Sequence, residues 1–283
     1  MKWHLELEAT LGKIVRTEPV HGGSINDVCR VTFADKRMVF VKTHASPPPG
    51  MYAAEAHGLT WLRGGPLRVP RVVAAADSYL ALEWIDMTEI GASIVPSMQE
   101  ELGRGLAGLH ALGAPSFGLE RDNFLATLSQ DNTPAKDIVT FFVERRLAPV
   151  FEQIRLAEDM PDLRRKLDQL RARPELFGPP EPPARLHGDL WSGNVGQSEG
   201  EPVIFDPAVY GGHREIDLAM LDLFGGLRER TVAAYHEAFP LADGWRERIK
   251  LWWLYPLACH AVLFGGQYVK RTAVTLDEVL ASR

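Results

Sequence analysis

The chain has 283 residues, of which 46% are hydrophobic, 9% aromatic and 24% charged, a composition typical of a globular protein with a substantial core. Its 31 basic and 37 acidic residues give a net charge of −6, which argues against a nucleic-acid partner, because such proteins carry excess positive charge. The N-terminus lacks an apolar signal segment, and Cys29 and Cys259 follow no disulfide or metal spacing, so we expect a cytoplasmic protein without a membrane partner.

Strand patterns and turns dominate the first part of the chain. A strand is predicted near Val20, followed after a glycine turn by strands over 28–33 and 38–43. Prolines then break the chain before a predicted helix over 51–62, and a further strand is predicted over 79–85. The less regular segment from residue 86 to 96 marks the boundary between a small α+β lobe and the rest of the chain.

Helical patterns dominate beyond that boundary. Leucines at 102, 106 and 109 mark one helix, and further helices are predicted over 141–154, 161–173 and 245–264. The apolar stretch 251–266 is too short to span a membrane and is interpreted as part of a buried helix. Short strands flank polar residues between 184 and 208, in a region that is otherwise helical.

One segment matches a phosphoryl-transfer loop. His187, Asp189 and Asn194 fit the pattern H-x-D-x-x-x-x-N, and Asp206 follows on a strand-like segment at 205–207. Phosphoryl transfer requires a carboxylate that accepts the proton of the acceptor hydroxyl, and oxygen ligands for Mg²⁺ on the phosphates. Asp189 fits the first role, and Asn194 with Asp206 fits the second. A helix cap or an Asx turn would explain either short motif taken alone.

A lysine and a glutamate in the first lobe fit the same chemistry. Lys42 alternates in phase with Met38 and Phe40, which places its ammonium on a partly apolar sheet face where an unpaired charge is costly. Glu55, on the inward face of the next helix, is its expected partner, so that Lys42 can bind the phosphates of ATP. The alternative is a surface lysine beside an exposed glutamate.

Two further segments are candidates for nucleotide contacts. Gly22, Gly23 and Ser24 lie between two predicted strands, where backbone N–H groups could approach phosphate oxygens, although a simple hairpin turn has the same pattern. Glu83 and Ile85 close a strand at the lobe boundary, and their backbone groups are expected to meet the adenine.

These motifs together resemble those of the fructosamine kinases, also called ketosamine 3-kinases, a family of protein-kinase-like phosphotransferases related to aminoglycoside and choline kinases. The resemblance covers most of the chain, and HGDLWSGN is its most specific stretch because Trp191 followed by Ser192-Gly193 is typical of the ketosamine group. The stretches that carry it are GGSIN (22–26), FVKT (40–43), FFVERRL (141–147), HGDLWSGNV (187–195), FDPAVYGGHREIDLAM (205–220), LFGG (223–226) and HAVLFGGQYV (260–269).

The resemblance implies roles for individual residues as well as a fold. Lys42, Glu55, Asp189, Asn194 and Asp206 keep the roles given above. In addition, His187 would brace the loop, and Asp217 would tie it to the following helix. Trp191 is interpreted as an aromatic wall for a sugar-like acceptor, with a core aromatic as the alternative.

The implied fold is bilobal and protein-kinase-like, of the α+β class. Residues 1–86 would form the ATP-binding lobe with a small antiparallel sheet, and residues 87–283 the helical, catalytic and acceptor-binding lobe. The implied activity is Mg²⁺- and ATP-dependent phosphorylation of the 3-hydroxyl of fructosamine, ribulosamine or erythrulosamine adducts, free or protein-bound, which leads to deglycation of the amine.

Some positions depart from the family pattern, and other functions remain open. Pro134 and Ile138 replace two tryptophans that family members usually carry, and Gly211 and His213 lie where Tyr-Tyr-Gly-Asp is usual. These departures concern the acceptor rather than ATP. The alternatives are an aminoglycoside or other antibiotic phosphotransferase, and a non-catalytic nucleotide-binding module derived from a kinase.

Overall fold

The computed structural model describes residues 2–20, 26–89, 95–153 and 162–282. An antiparallel sheet occupies the first part of the chain and helices dominate the second, so the predicted α+β class is confirmed. Gly22, Gly23 and Ser24 lie outside the described residues.

A five-stranded antiparallel sheet forms the first part of the described structure, in the order β1-β2-β3-β5-β4. Its strands are β1 (Ile14–Pro19), β2 (Asp27–Phe33), β3 (Met38–Thr43), β4 (Val72–Ala76) and β5 (Tyr79–Glu83). The strand β5 ends at Glu83, two residues earlier than the predicted end at residue 85. In the register of the sheet, Lys42 pairs with Val28 on one side and Leu80 on the other.

Side chains along β3 alternate between the two faces of the sheet. Val39 and Val41 are buried against α1 (Lys2–Leu11), where Trp3 and Leu7 cover the sheet. Residues of the opposite parity, including Lys42, lie on the other face, as period-2 alternation requires. The helix α1 was not among the predicted elements.

The predicted helix over 51–62 is present as α2 (Met51–Leu62). Leu59 and Leu62 are fully buried and join a core that also contains residues of the helical part, such as Leu106 and Leu218. Because the same core packs against both parts of the chain, it fixes α2 relative to the loop that follows residue 186.

The second part of the chain combines helices with short two- and three-stranded sheets. The short strands are β6 (Thr88–Glu89), β7 (Asn123–Leu125), β8 (Leu128–Gln130), β9 (Ala184–Leu186), β10 (Val195–Ser198), β11 (Glu201–Ile204) and β12 (Tyr210–Gly212). The helices are α3 (Pro96–Ala111), α4 (Ile138–Thr140), α5 (Ala148–Gln153), α6 (Leu163–Arg171), α7 (Glu215–Leu223), α8 (Glu229–Ala238), α9 (Trp245–Phe264) and α10 (Gln267–Ala281), with 3₁₀ turns over Pro174–Phe177 and Ser192–Asn194. The strand β10 lies between β11 and β6, β12 pairs with β9, and β7 pairs with β8.

One predicted helix has an unexpected form. The segment Phe141–Leu147 is a π-helix that continues into α5, rather than one regular α-helix over 141–154. π-Helical turns are rare and are found frequently at functional sites. This one buries Phe141, Phe142 and the cationic side chain of Arg146.

The apolar segment near the C-terminus forms most of α9. Much of this helix is buried, as predicted, and it packs against α7 and the π-helix in the core of the helical part. Among the residues that the structure describes, no helix is long and apolar enough to cross a membrane.

Candidate active site

A cavity of about 1120 Å³ lies between the N-terminal sheet and the segment that contains Asp189 and Asp206. The sheet contributes the apolar side chains of Val28, Phe40 and Leu82 to its lining. Such a mixture of apolar walls and a few convergent polar groups is typical of small-molecule sites.

Lys42 lies at the centre of the charged part of this cavity. Its Nζ is 2.6 Å from Glu55 Oε1 and also contacts Asp206 Oδ1, while its side chain is only 3% exposed. Burial alone would lower the pKa of Lys42, but the charges of Asp206 and Glu55 outweigh it and the net pKa is raised. The lysine therefore stays protonated, and the expected Lys42–Glu55 pair is present.

The loop after β9 is held by one buried carboxylate. Asp217 at the start of α7 accepts hydrogen bonds from the backbone N–H of His187 (2.8 Å) and of Gly188 (2.9 Å). Gly188 has a φ of +82°, and a Cβ at this position would lie 2.1 Å from Ala208 O. Only glycine fits this turn, which directs the next residue, Asp189, into the cavity.

His187 braces the loop from inside. Its Nε2–H donates to Phe205 O (2.9 Å), and its Nδ1 accepts from the backbone N–H of Asp189 (3.3 Å). Burial lowers the pKa of His187, which keeps the imidazole neutral and suits this donor–acceptor arrangement. The ring thereby links the loop to the residue before Asp206.

Asp189 and Asn194 interact directly. The Asn194 amide donates to Asp189 O (2.9 Å) and to Asp189 Oδ2 (3.1 Å), so its donor side is used within the loop. Burial, together with the charge of Asp206, raises the pKa of Asp189 to about 7. A carboxylate with such a pKa is suited to accept a proton near neutral pH.

Asp206 lies beyond a strand rather than on one. The strand β11 ends at Ile204, and Asp206 has a φ of +57°, in the left-handed region that residues other than glycine rarely adopt. The prediction that residues 205–207 are strand-like is therefore wrong, because the strand ends one residue before them. Strained backbone of this kind is found preferentially at functional sites.

The oxygen donors of Asp206 and Asn194 fit a magnesium ion. Mg²⁺ is bound in such sites by one or two protein oxygens together with substrate phosphates, rather than by an all-protein cage. Among the described residues there is no cluster of three or more His, Cys, Asp and Glu side chains that could hold a metal ion.

Glu83 and Ile85 line the cavity next to the end of β5. The Glu83 backbone N–H donates to Arg71 O (2.9 Å) and is therefore used within the sheet. The Ile85 backbone N–H makes no hydrogen bond to any described residue, and it is free to meet a ligand. Trp84, between them, also lines the cavity, and its Nε1–H donates to Asp86 Oδ1 (2.7 Å).

Trp191 lies at the cavity rim and is 39% exposed, so it is not a core aromatic. The four departures from the family pattern lie elsewhere, because none of them lines the cavity within the described chain. Gly211 exchanges backbone hydrogen bonds with Gly118, and the buried His213 stacks on Trp252 at a centroid distance of 4.9 Å.

The sequence patterns did not predict one residue that contacts Asp217 and so helps to hold the loop that carries Asp189. His110 on α3 is buried and its Nε2 is 3.1 Å from Asp217 Oδ2, while its Nδ1 is 2.8 Å from the hydroxyl of Tyr235. Its partners lie 107 and 125 residues away in sequence. The only signal is a histidine in phase with the buried leucines of α3, a pattern that a satisfied core histidine shares.

Arg146 is a second such residue. It is fully buried, with ring centroids of Phe141 and Tyr210 at 4.4 and 4.2 Å from its guanidinium carbon. Its NH1 donates to Asp131 O (2.6 Å) and its NH2 to Asn132 Oδ1, but no carboxylate of the described residues pairs with it. The positive charge is stabilised by aromatic faces and carbonyl oxygens.

An amide chain connects Arg146 to the cavity wall. Asn132 Nδ2 donates to Asn123 Oδ1 (2.9 Å), and Asn123 Nδ2 donates to Val209 O (2.7 Å). Asn123 lines the cavity on β7. Arg146 therefore supports a wall of the site without touching it.

A comparison with known families agrees with this geometry. The model of the family described as fructosamine kinase matches residues 2–282, which is nearly the whole chain. The chain belongs to the fructosamine kinase family. The resemblance found in the sequence is thereby confirmed.

Relatives in this family carry ketoamine kinase names. A protein of Enterococcus faecium named probable ketoamine kinase is 38% identical over 268 residues, which cover 91% of each chain. One of Thermus thermophilus with the same name is 36% identical over 251 residues and covers 89% of each chain. The protein is accordingly an ATP-dependent phosphotransferase of the fructosamine kinase family.

Solved structures support the same fold. A Thermobifida fusca structure assigned as a fructosamine-3-kinase is 38% identical, has a TM-score of 0.87, and is aligned over 99% of this chain and 98% of its own. An aminoglycoside phosphotransferase in complex with ADP and hygromycin B is 12% identical, with a TM-score of 0.68 over the whole of both chains. At this identity the second match shows the fold alone, and it confirms the protein-kinase-like architecture.

Proposed function

We propose that this fructosamine kinase transfers the γ-phosphoryl group of ATP to the 3-hydroxyl of a ketosamine such as a fructosamine, ribulosamine or erythrulosamine adduct, free or protein-bound. The observation that carries the proposal is Asp189, with its raised pKa, hydrogen-bonded to Asn194 beside the Lys42–Asp206 contact. One proton acceptor and one cationic group thus converge on the same cavity.

Each residue has one role in this proposal. Asp189 orients the acceptor hydroxyl and accepts its proton, Lys42 binds phosphate oxygens, and Glu55 holds Lys42 in place. Asp206 and Asn194 are the oxygen ligands that would hold Mg²⁺. The bound ion offsets the negative charge of the phosphates.

The remaining predicted residues position the substrates. Ile85 and Glu83 meet the adenine through backbone groups. For Gly22, Gly23 and Ser24, which lie outside the described residues, the proposed role is contact of their backbone N–H groups with the phosphates. Trp191 is the aromatic wall against the acceptor.

The division of the chain follows from these roles. Residues 1–86 form the nucleotide-binding lobe and residues 87–283 the lobe that carries Asp189 and the acceptor wall. The strand β6, which begins at Thr88 and pairs with β10 of the second part, supports a boundary near residue 86.

The product would decompose without further catalysis. In a ketosamine the amine is on C1 and the carbonyl on C2, so enolisation toward C1 gives an enaminol that can expel a leaving group from C3. Phosphate leaves readily, whereas hydroxide does not. Hydrolysis of the remaining imine then releases the free amine and a deoxy-dicarbonyl sugar, which amounts to deglycation.

An ATP-consumption screen combined with phosphorus NMR tests this function. The purified protein is offered fructose-, ribulose- and erythrulose-derived lysine adducts together with a set of aminoglycosides. We expect turnover with the adducts, followed by release of inorganic phosphate and the free amine. A stable phosphomonoester without regenerated amine would exclude deglycation, and turnover of aminoglycosides alone would favour an antibiotic kinase.

A further inference from the structure

A row of aromatic rings extends from the catalytic loop toward the C-terminal helices. The Trp191 ring meets Phe224 at a centroid distance of 6.0 Å, and Phe224 meets His260 at 5.0 Å. His260 in turn contacts Tyr268 at 5.0 Å and Phe264 at 5.5 Å. We refer to these five residues as the aromatic strip.

The strip is open to solvent at both of its ends. Trp191 is 39% exposed and Phe264 is 55% exposed, although large apolar side chains are normally buried. The three rings between them are half-buried. The strip therefore offers a continuous aromatic surface instead of two isolated exposed side chains.

The strip begins at the site of phosphoryl transfer. The backbone N–H of Trp191 donates to Asp189 O (3.2 Å), so the first ring is attached to the loop that carries the acceptor-facing carboxylate. A molecule whose hydroxyl lies against Asp189 consequently has the strip beside it.

None of the five side chains carries a formal charge near neutral pH. The Nδ1–H of His260 donates to Pro256 O (2.8 Å), and burial lowers the pKa of its imidazole, which therefore stays neutral. Aromatic faces attract both apolar groups and cations, because the ring quadrupole presents negative charge on its face.

This surface matches one part of a ketoamine. The amine is attached two carbons from the carbon that carries the reacting hydroxyl, and a secondary alkylamine is protonated at neutral pH. The group attached to the nitrogen must leave the site close to the residues that flank Asp189. It combines a cation with a carbon chain or ring, which is what an aromatic surface binds well.

We propose that the aromatic strip binds the protonated amine of the ketoamine and its apolar or aromatic substituent, and so selects among amines. The proposal rests on the proposed function of the same site. The sugar portion stays at Asp189 and Trp191, while the amine substituent lies along Phe224, His260, Tyr268 and Phe264.

A substrate series with one sugar and two amines tests the strip. Fructose adducts of methylamine and of phenethylamine are compared by kcat/KM in the full-length protein and in Phe264→Ala and Tyr268→Ala. We expect the phenethylamine-to-methylamine ratio to fall about three- to tenfold in each variant, the size of one or two lost aromatic contacts. The loss should lie mainly in KM, because the reacting groups stay in place.

The matched control is Val274→Ala. Val274 is also an exposed apolar side chain, at 57%, and lies on α10 outside the strip. The ratio should keep its wild-type value in this variant. Equal losses for both adducts in Phe264→Ala, or no change in the ratio in either strip variant, would overturn the proposal.

Binding measurements keep the strip testable without turnover. Saturation-transfer NMR with the two adducts should show contact of the phenyl protons with the wild-type protein, and weaker contact with Phe264→Ala. If no adduct is phosphorylated, the proposed function fails while this measurement still decides the strip. Equal transfer to the phenyl group in both proteins would reject the strip.

Discussion

The carboxylate of Asp217 accepts one hydrogen bond from the backbone of His187 and another from that of Gly188, and thereby fixes the loop that carries Asp189. His110 contacts the same carboxylate from α3. Burial would raise the pKa of Asp217, but the hydrogen bonds from His110 and from the Gly188 backbone outweigh it, and the net pKa is lowered. The loop geometry therefore depends on a side chain that does not line the cavity.

Asp217→Asn should weaken both the fold and the reaction. The amide cannot accept all of these hydrogen bonds, so we expect the free energy of unfolding to fall by about 1–3 kcal/mol and kcat to fall as well.

The stabilisation by Asp217 should also depend on pH. Because the folded pKa of Asp217 is lowered, its contribution to the free energy of unfolding is present at neutral pH and is lost as the pH falls below about 4. Urea unfolding at several pH values measures this contribution, with the exposed Asp168→Asn as control. A wild-type kcat would show that the loop does not need this brace.

Asp189→Asn should remove turnover by about 10²- to 10⁴-fold while ATP binding is retained. In the wild type, protonation of Asp189 removes the proton acceptor. The value of kcat/KM should therefore fall as the pH is lowered through the Asp189 pKa of about 7. An ion at Asp206 would offset the charge that helps raise this pKa and would move the acidic limb lower. A profile of kcat/KM for the acceptor between about pH 5 and 9 measures the limb. A flat acidic side, or wild-type kcat in the variant, would contradict the role of Asp189.

Asp206→Ala and Asn194→Ala should each raise the Mg²⁺ concentration required for half-maximal activity, because each change removes an oxygen ligand. The effect of Asp206→Ala should be larger, since this ligand carries charge. Titration of Mg²⁺ at fixed ATP provides the measurement. Unchanged half-saturation in both variants would reject the assignment, and Asp35→Ala, which alters an exposed carboxylate, serves as control.

Lys42 and Glu55 should behave as a coupled pair. Lys42→Met leaves the buried Glu55 carboxylate without its cationic partner, whereas Glu55→Gln leaves Lys42 held by Asp206 alone. The effects of the two changes on kcat/KM should therefore not add. A double-mutant cycle measures the interaction energy. Additive effects would mean that Glu55 does not hold the lysine in its working position.

Arg146→Lys should raise the KM for the acceptor more than the KM for ATP. Lysine retains the charge but cannot reproduce the two-armed hydrogen bonding to Asp131 and Asn132, which supports Asn123 in the cavity wall. Steady-state kinetics at varied acceptor and varied ATP separate the two constants. Equal changes in both, accompanied by a loss of thermal stability, would indicate a role in folding alone.

Much of the active site follows from local patterns in the sequence. Lys42 and Glu55 can be predicted because strand and helix periodicity place each of them on an inward face. Asp189 and Asn194 can be predicted because they belong to one short loop motif with a fixed spacing. Periodicity predicted the ends of β5 and of the strand before Asp206 less accurately. These ends depend on strand pairing and on the left-handed backbone at Asp206, and no sequence pattern predicts either of them.

By itself the sequence determined the small sheet, the helical second part, and the groups to which we assign the chemistry, since all of these follow from spacings of a few residues. The tertiary structure alone decided what holds and surrounds them. His110 contacts Asp217, which lies 107 residues further along the chain. Arg146 packs on the ring of Tyr210. Phe264 is part of the aromatic strip that begins at Trp191. Packing brings these side chains together across long stretches of chain, and contacts of that kind leave no periodicity in the sequence.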